Sequence, residues 1–263
     1  MGDAASEEES WNIMQFLMNL IEKTPLGDER LNCLLDCAAE IYQYLEVDHQ
    51  QQFLTIMIPY LINICTLDVG LEIKQVVQGP EYAEVNGYEI STMDAGKMGK
   101  VQLSINTSAV EAVSNAVRLL HNLLIDGKQR MLPYAAQIYE AVKPLVDFSF
   151  HEDVRNLCAR ILPKLFEIMV NGVKEGTFDL ATCVNFYSEI NAVLIEQYQA
   201  EDEANERNCI AESLRDVYCV TNSLLLSLIH SVFMKVVMKI IINSIINVFV
   251  LILIYAKMLL KML

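Results

Sequence analysis

The chain has 263 residues, of which 53% are hydrophobic, enough for one large domain or an elongated array, and its formal net charge is −15. All 34 acidic residues lie at or before Asp216 beside 15 basic ones, so this body carries −19, whereas the tail after it carries four lysines. An acidic body repels the phosphate backbone of nucleic acids. We therefore expect no direct binding to DNA or RNA and a preference for basic partners.

The first elements are predicted to be amphipathic helices. Residues 1–9 are acidic and suit a solvated helix start, where negative charge is favourable. Apolar residues recur at helical spacing over 11–21, and the stretch TPLGDE then ends this helix. Further helical stripes follow over 31–45 and 51–65.

Residues 67–104 interrupt the helical rhythm. They contain glycines, Pro80 and acidic residues without a sustained period, which indicates a long polar loop or insertion. Because helical stripes dominate the rest of the body, we expect no sheet of more than two short strands.

Helical spacing returns over 110–124 and ends at Asp126-Gly127. The pattern then predicts one helix over Met131–Phe148 and a second over Asp153–Val170, with Asn171-Gly172 as a left-handed cap. A further pair is predicted at 178–198 and 203–218.

The helices recur in pairs. The units begin near Ser10, Gln50, Lys128 and Thr177, and without the insertion their spacing is roughly 40 residues, which is typical of HEAT repeats. One pair cannot bury its own apolar stripe, so pairs stack and share a core. The prediction is an all-α HEAT-repeat α-solenoid of about four helical pairs over 10–220, with an insertion at 67–104 and a hydrophobic tail at 221–263.

The triplet Asp153-Val154-Arg155 is predicted to be structural. Asp153 would stand at a helix start and satisfy free backbone N–H groups, Val154 would face the core, and Arg155 would reach acidic or carbonyl groups of a neighbouring repeat. Three further residues of this helix are expected in the core: Leu157, Cys158 and Ile161.

The sequence offers no sign of an enzyme, a cofactor or a metal site. It lacks the HExxH, GxSxG and P-loop motifs, and its four histidines are isolated. Its seven cysteines are scattered through helical patterns, as core thiols of a reducing compartment would be. Cys33 and Cys37 could share a helix face, but no nearby histidine pair completes a metal site.

Four blocks agree in order and spacing with one known family. They read IMQFLMNLIEKT, QQFLTIMIPYLINIC, NGYEI within the insertion, and MLPYAAQIYEAVKPLVDFSFHEDVRNLCARILPKL. Over roughly Ile13–Val220 the chain resembles a middle segment of the importin-beta, or karyopherin-beta, superfamily, with most likeness to its importin beta-3 branch. General HEAT scaffolds share the repeat consensus alone, so the four blocks together carry the resemblance.

The resemblance implies a nuclear transport receptor that shuttles between cytoplasm and nucleus during protein import. Such receptors bind basic cargo inside a helical superhelix, touch nucleoporin Phe-Gly repeats outside, and release cargo to Ran-GTP. The N-terminal repeats that grip Ran are absent here, so Ran binding is not expected of this chain. The alternatives are a general HEAT scaffold for protein assembly and a membrane-anchored adaptor.

The resemblance also implies where cargo would bind, because the second helix of each pair lines the inner surface in this family. Carboxylates there can pair with cargo lysines, and amides can hold an extended peptide backbone. The candidate cargo-binding residues are Asp36, Glu40, Glu111, Asn115, Asn156, Asn208, Glu212 and Asp216.

The tail is unlike the body. Residues 240–256 are uncharged and long enough, at the lower limit, to span a bilayer, with lysines on both sides. One interpretation is a C-terminal membrane anchor. Another is translated non-coding sequence of an A/T-rich genome, since the tail is rich in Ile, Asn, Lys, Phe and Met and the resemblance stops near Val220. A third is a buried final helix.

Overall fold

The computed structural model describes residues 3–26, 28–70, 72–75, 82–85, 88–94, 100–230 and 233. The chain forms two compact units, Met1–Val217 and Tyr218–Leu263. In the second unit, residues 218–230 are helical. The predicted membrane anchor at 240–256 lies outside the described residues.

The first unit contains paired helices, in agreement with the predicted helical solenoid. Its helices are α1 (Asp3–Lys23), α2 (Glu29–Tyr42), α3 (Val47–Cys65), α4 (Thr107–Gly127), α5 (Ala135–Val142), α6 (Glu152–Glu175), α7 (Leu180–Ala200) and α8, which begins at residue 204 and belongs to this unit up to residue 217. Consecutive helices pair as α1–α2, α3–α4, α5–α6 and α7–α8. The helices α2, α4 and α6 pack side by side, and α6 bonds to α8, so the second helices form one layer.

The first helix of the third pair is shorter than predicted. Instead of one helix over Met131–Phe148, α5 lies between two 3₁₀ segments, Lys128–Tyr134 and Lys143–Asp147. Each segment contains a proline, Pro133 or Pro144, which has no N–H to donate to an α-helical bond. The α-helix is therefore confined to the residues between them.

The second helix of that pair is longer than predicted. α6 continues to Glu175 and ends at Gly176, whose φ of +75° is left-handed, so the predicted cap at Asn171-Gly172 is wrong. At the other end, His151 is the capping residue and Asp153 lies in the first turn. Val154, Cys158 and Ile161 are fully buried as predicted, while Leu157 is half-buried.

The insertion between α3 and α4 forms a four-stranded antiparallel sheet, so the expectation of at most two strands is wrong. The strands are β1 (Glu72–Gln75), β2 (Tyr82–Val85), β3 (Tyr88–Asp94) and β4 (Lys100–Asn106), in the order β1-β4-β3-β2. Val101, Leu103 and Ile105 alternate with polar residues in β4, which is the period of a strand. The insertion as a whole has a composition typical of loops, so this short alternation was not interpreted as a strand.

The sheet is tied directly to the second layer of helices. Asn106 ends β4 and caps α4, because its Oδ1 accepts a hydrogen bond from the Ala109 backbone N at 3.1 Å. Next to this junction, Val69, Ala109 and Val110 form a small core against which Ile105, Phe148 and Phe150 pack. The insertion thus fixes the start of α4 within the repeat array.

Candidate functional site: the second-helix face

The candidate cargo-binding residues lie on the second helices of the four pairs, and we call their outer surface the second-helix face. Six of the eight are exposed: Asp36 and Glu40 on α2, Glu111 on α4, and Asn208, Glu212 and Asp216 on α8. Asn156 on α6 is half-buried, and Asn115 on α4 is buried with 8% of its surface exposed.

Asn115 is occupied by contacts within the protein. Its Nδ2 donates to Oδ1 of Asn32 and to the Glu111 carbonyl oxygen at 2.8 Å, while its Oδ1 accepts from Arg118 at 2.9 Å. An amide with both donors used has little left for a peptide. These hydrogen bonds fix the side-chain amide of Asn32, which is half-buried on α2. Asn32 was not among the residues predicted from the sequence.

Asp36 is also paired. Its carboxylate accepts from Nη2 of Arg118 at 3.0 and 3.3 Å, which joins α2 to α4 across the face. Both side chains are about half exposed, so water and salt weaken this pair. The pair still offsets part of the negative charge that the sequence predicted here.

Between α2 and α4 lies a cleft of about 270 Å³, which we call the acidic cleft. Its polar lining is Glu40 and Gln43 from α2 with Asn122 and Asp126 from α4, and Ala39 and Ile125 complete it. No basic side chain lines it among the described residues. Two carboxylates and two amides beside the apolar side chains of Ala39 and Ile125 suit a lysine, which has an ammonium group on an aliphatic stem.

Between α4 and α6 lies a second cleft, of about 300 Å³, which we call the arginine cleft. It is lined by Ser114, Arg118, Asp153, Asn156, Leu157 and Arg160. Asn156 was predicted to lie on an acidic surface, but it stands between two guanidinium groups and one carboxylate. The formal charge of the lining residues is therefore negative in the acidic cleft and positive in the arginine cleft.

Beyond the arginine cleft, α6 meets α8. Nε of Arg160 donates to Sγ of Cys209 at 3.3 Å, and this contact raises the pKa of Arg160, to which the carboxylate of Glu212 adds a smaller attraction. Further along α8, Asp216 pairs with its neighbour Arg215 at 3.2 Å. Glu212 on α8 thus lies close enough to Arg160 to attract its guanidinium group.

Periodicity could have found the residues that the sequence interpretation missed. On α4, the predicted Glu111 and Asn115 are followed at intervals of three or four residues by Arg118, Asn122 and Asp126. Residues spaced in this way share a helix face. Arg160 follows Asn156 on α6 by the same rule.

Among the described residues we find neither a metal-binding cluster nor a membrane-spanning helix. No group of three or more His, Cys, Asp or Glu side chains among them could hold a metal ion. Cys33 and Cys37 are both exposed on α2. No helix in the described part of the chain combines the length and apolarity that crossing a membrane requires.

No protein-family model matches the sequence. Solved structures of similar fold include those of Kap121p, a yeast karyopherin of the importin-β family. The crystal structure of Kap121p bound to Nup53p aligns with a TM-score of 0.65 and 16% identity, and that of Kap121p bound to Pho4p with 0.64 and 17%. This chain has the fold of a karyopherin segment.

The karyopherin likeness covers most of this chain and a small part of the other. The two alignments cover 84% of this chain and 20% of the Kap121p chain, and that with Kap121p bound to the SUMO protease Ulp1p covers 86% and 21% at a TM-score of 0.63 and 17% identity. The chain therefore spans about one fifth of the length of the karyopherin chains that it matches.

Proposed function

We propose that this chain is a segment of a nuclear transport receptor, and that a lysine-rich stretch of an imported protein binds along its second-helix face. The single observation that carries the cargo proposal is the acidic cleft, where Glu40 and Asp126 face one space from two helices. The karyopherin fold supports the class of protein, since the similar Kap121p structures include complexes with Pho4p and Nup53p.

Charge and shape both favour a lysine in the acidic cleft. The two carboxylates attract an ammonium group, and Gln43, whose Nε2 donates to Glu40 at 3.2 Å, offers its amide oxygen as a further acceptor. The aliphatic stem of lysine can lie against Ile125, which is 44% exposed. The net charge of −15 adds a long-range attraction for basic peptides.

Contact with nucleoporins is proposed on the opposite layer. Most of the exposed large apolar side chains of the first unit lie on first helices, namely Ile13, Phe16, Val47, Ile56, Leu180, Val184, Ile195 and Tyr198. Exposed apolar groups on one layer suit short aromatic peptide motifs. A receptor that binds cargo and nucleoporins on separate layers would shuttle between cytoplasm and nucleus.

The cargo proposal is tested by reversing the charge of the acidic cleft. Glu40→Lys combined with Asp126→Lys should weaken binding of a fluorescein-labelled lysine-rich peptide at least tenfold, measured by fluorescence anisotropy. The matched control is Glu140→Lys with Glu196→Lys, which makes the same change of net charge at exposed residues of α5 and α7.

The two double variants together decide the proposal. Loss of binding in the acidic-cleft variant alone, with unchanged circular dichroism, supports a lysine site at α2 and α4. Equal loss in both variants would mean that net charge alone attracts the peptide. No loss in either would place the cargo surface elsewhere.

A further inference from the structure

The arginine cleft has chemistry opposite to that of the acidic cleft. Arg118 and Arg160 enter it from two different helices, and the amide of Asn156 and the hydroxyl of Ser114 add further donors. Asp153 is the one acidic side chain among its described lining residues. Among the lining residues two guanidinium groups stand against one carboxylate, which favours an anion over a lysine, although Asp36 and Glu212 act on Arg118 and Arg160 from outside the lining and offset part of this positive charge.

Each arginine is held in place and still has donors to spare. Arg118 uses Nη2 for Asp36 and Asn115, and Arg160 uses Nε for Cys209. Their remaining N–H groups make no hydrogen bond to the described part of the chain. A guanidinium fixed at one nitrogen presents its others in a set direction, which suits a carboxylate or a phosphate.

We propose that the arginine cleft binds an oxyanion, either the carboxylate of an acidic side chain or the phosphate of a phosphorylated one, between Arg118 and Arg160. The assignment of this oxyanion to the cargo peptide rests on the proposed function. In that case the receptor recognises peptide side chains of both charges, which we call the two-sign pattern. A lysine binds in the acidic cleft and an anionic residue binds in the arginine cleft.

Helix geometry sets the distance between the acidic cleft and the arginine cleft. On α4, Asn122 and Asp126 line one cleft and Ser114 and Arg118 the other, eight residues earlier in each case. That offset is about 12 Å along the helix axis, and neighbouring helices lie about 10 Å apart. The clefts are thus about 15 Å apart, so about four to five residues of extended peptide separate the lysine from the anion.

The first experiment tests the oxyanion site without any lysine. The full chain, labelled with nitrogen-15, is titrated with three otherwise neutral five-residue peptides whose central residue is alanine, glutamate or phosphoserine. The arginine Nε–H signals are assigned by their loss in Arg118→Gln and Arg160→Gln. We expect the Arg118 and Arg160 signals to shift with an anionic peptide and to stay unmoved with the alanine peptide.

The titrations either identify the anion that binds in the arginine cleft or show that the cleft binds none. Shifts with phosphoserine alone assign a phosphate, and shifts with both anionic peptides assign either group. Equal shifts of the Arg118 and Arg160 signals with all three peptides, or no shift with any of them, overturn the proposal. Lys143→Gln, which removes a positive charge from the other layer, is the control and should leave the shifts unchanged.

The second experiment joins the site to cargo binding. A lysine-rich peptide with phosphoserine or glutamate four or five residues from its central lysine should bind about tenfold more tightly than its alanine counterpart, and Arg160→Gln should abolish that gain. A gain that survives Arg160→Gln, or no gain at all, overturns the two-sign pattern. Shifts in the first experiment with no binding of any lysine-rich peptide would instead refute the proposed function and keep the oxyanion site.

Discussion

Arg155 on α6 and Glu206 on α8 form an ion pair between the third and fourth helical pairs, with Nε donating to Oε2 at 2.9 Å. Arg155 also donates from Nη1 to the Phe148 carbonyl oxygen at 3.1 Å and lies 3.8 Å from a carboxylate oxygen of Glu201. The contact with Glu206 confirms the prediction that Arg155 reaches acidic or carbonyl groups of a neighbouring repeat, whereas the Phe148 carbonyl belongs to its own repeat.

Arg155→Ala should therefore lower the free energy of unfolding by about 3–5 kcal/mol, because it leaves the carboxylate of Glu206 buried without its partner. The Glu206 side chain is only 5% exposed. Arg215→Ala is the control, since this arginine is 66% exposed beside Asp216 and should cost less than about 1 kcal/mol. Urea denaturation measures both, and similar losses would refute a special role for Arg155.

Ile161→Ala should cost about 2–5 kcal/mol of stability, since Ile161 is completely buried in α6 and its truncation leaves a cavity. Ile125→Ala removes the same atoms from a side chain that is 44% exposed, so its effect should stay below about 1 kcal/mol. Thermal unfolding followed by circular dichroism compares the two. An unchanged melting temperature for Ile161→Ala would show that this face of α6 is not core.

Gly172→Ala should be destabilising through packing. A Cβ at Gly172 would lie 2.8 Å from Cδ2 of Leu132 and 2.9 Å from Cβ of Phe178, closer than carbon atoms tolerate, so we expect a cost of about 1–3 kcal/mol. Gly176→Ala meets no neighbour and should cost about 1–2 kcal/mol through its left-handed backbone alone.

Denaturation midpoints of the two glycine variants, combined with Leu132→Ala, separate these mechanisms. Leu132→Ala should reduce the penalty of Gly172→Ala by removing one of the two atoms in the way, while the contact with Phe178 remains, and it should not change the penalty of Gly176→Ala. An identical penalty for Gly172→Ala in both backgrounds would rule out the predicted clash with Leu132.

Stability should decline in weak acid because of His121 on α4. Burial lowers the pKa of His121 below its ordinary value of 6.5, and the positive charges of Arg160 and Lys164 act in the same direction, while a hydrogen bond with Asn122 opposes them. The folded state thus favours the neutral imidazole. Its contribution is fully present above pH 6.5 and is lost as the pH falls from 6.5 towards the folded pKa.

The test compares melting temperatures of the parent and of His121→Gln at pH 7.5 and pH 5.5. The parent should lose more stability than the variant on acidification, because glutamine does not take up a proton. Equal losses would show that His121 does not contribute to the acid sensitivity.

Charge reversal at Asp36, Glu40 and Glu212 together should abolish binding of a lysine-rich peptide, and binding to the parent should weaken steeply as salt rises to physiological strength. Asp36→Lys also places a positive charge beside Arg118, so the neutral set Asp36→Asn, Glu40→Gln and Glu212→Gln is measured alongside. We expect the neutral set to bind several-fold more weakly than the parent. Parent-like binding by both sets would show these carboxylates to be ordinary surface.

Local sequence signals determined the helical part of the fold. Apolar residues at intervals of three and four predict the paired helices, because one stripe per helix must be buried against a neighbour. The period of roughly 40 residues then predicts stacked pairs, and the burial of Val154, Cys158 and Ile161 agrees with that pattern. These features depend on residues close together in the chain, so the sequence alone suffices for them.

Tertiary structure decided what depends on residues far apart. The four-stranded sheet needs β1 to pair with β4 across the whole insertion, and this pairing outweighs a composition typical of loops. The Asp36–Arg118 pair joins residues 82 positions apart, so the sequence could not show that the carboxylate is partly neutralised. The division of the second-helix face into an acidic and an arginine cleft follows from which helices pack together, because each cleft takes its charge from two helices at once.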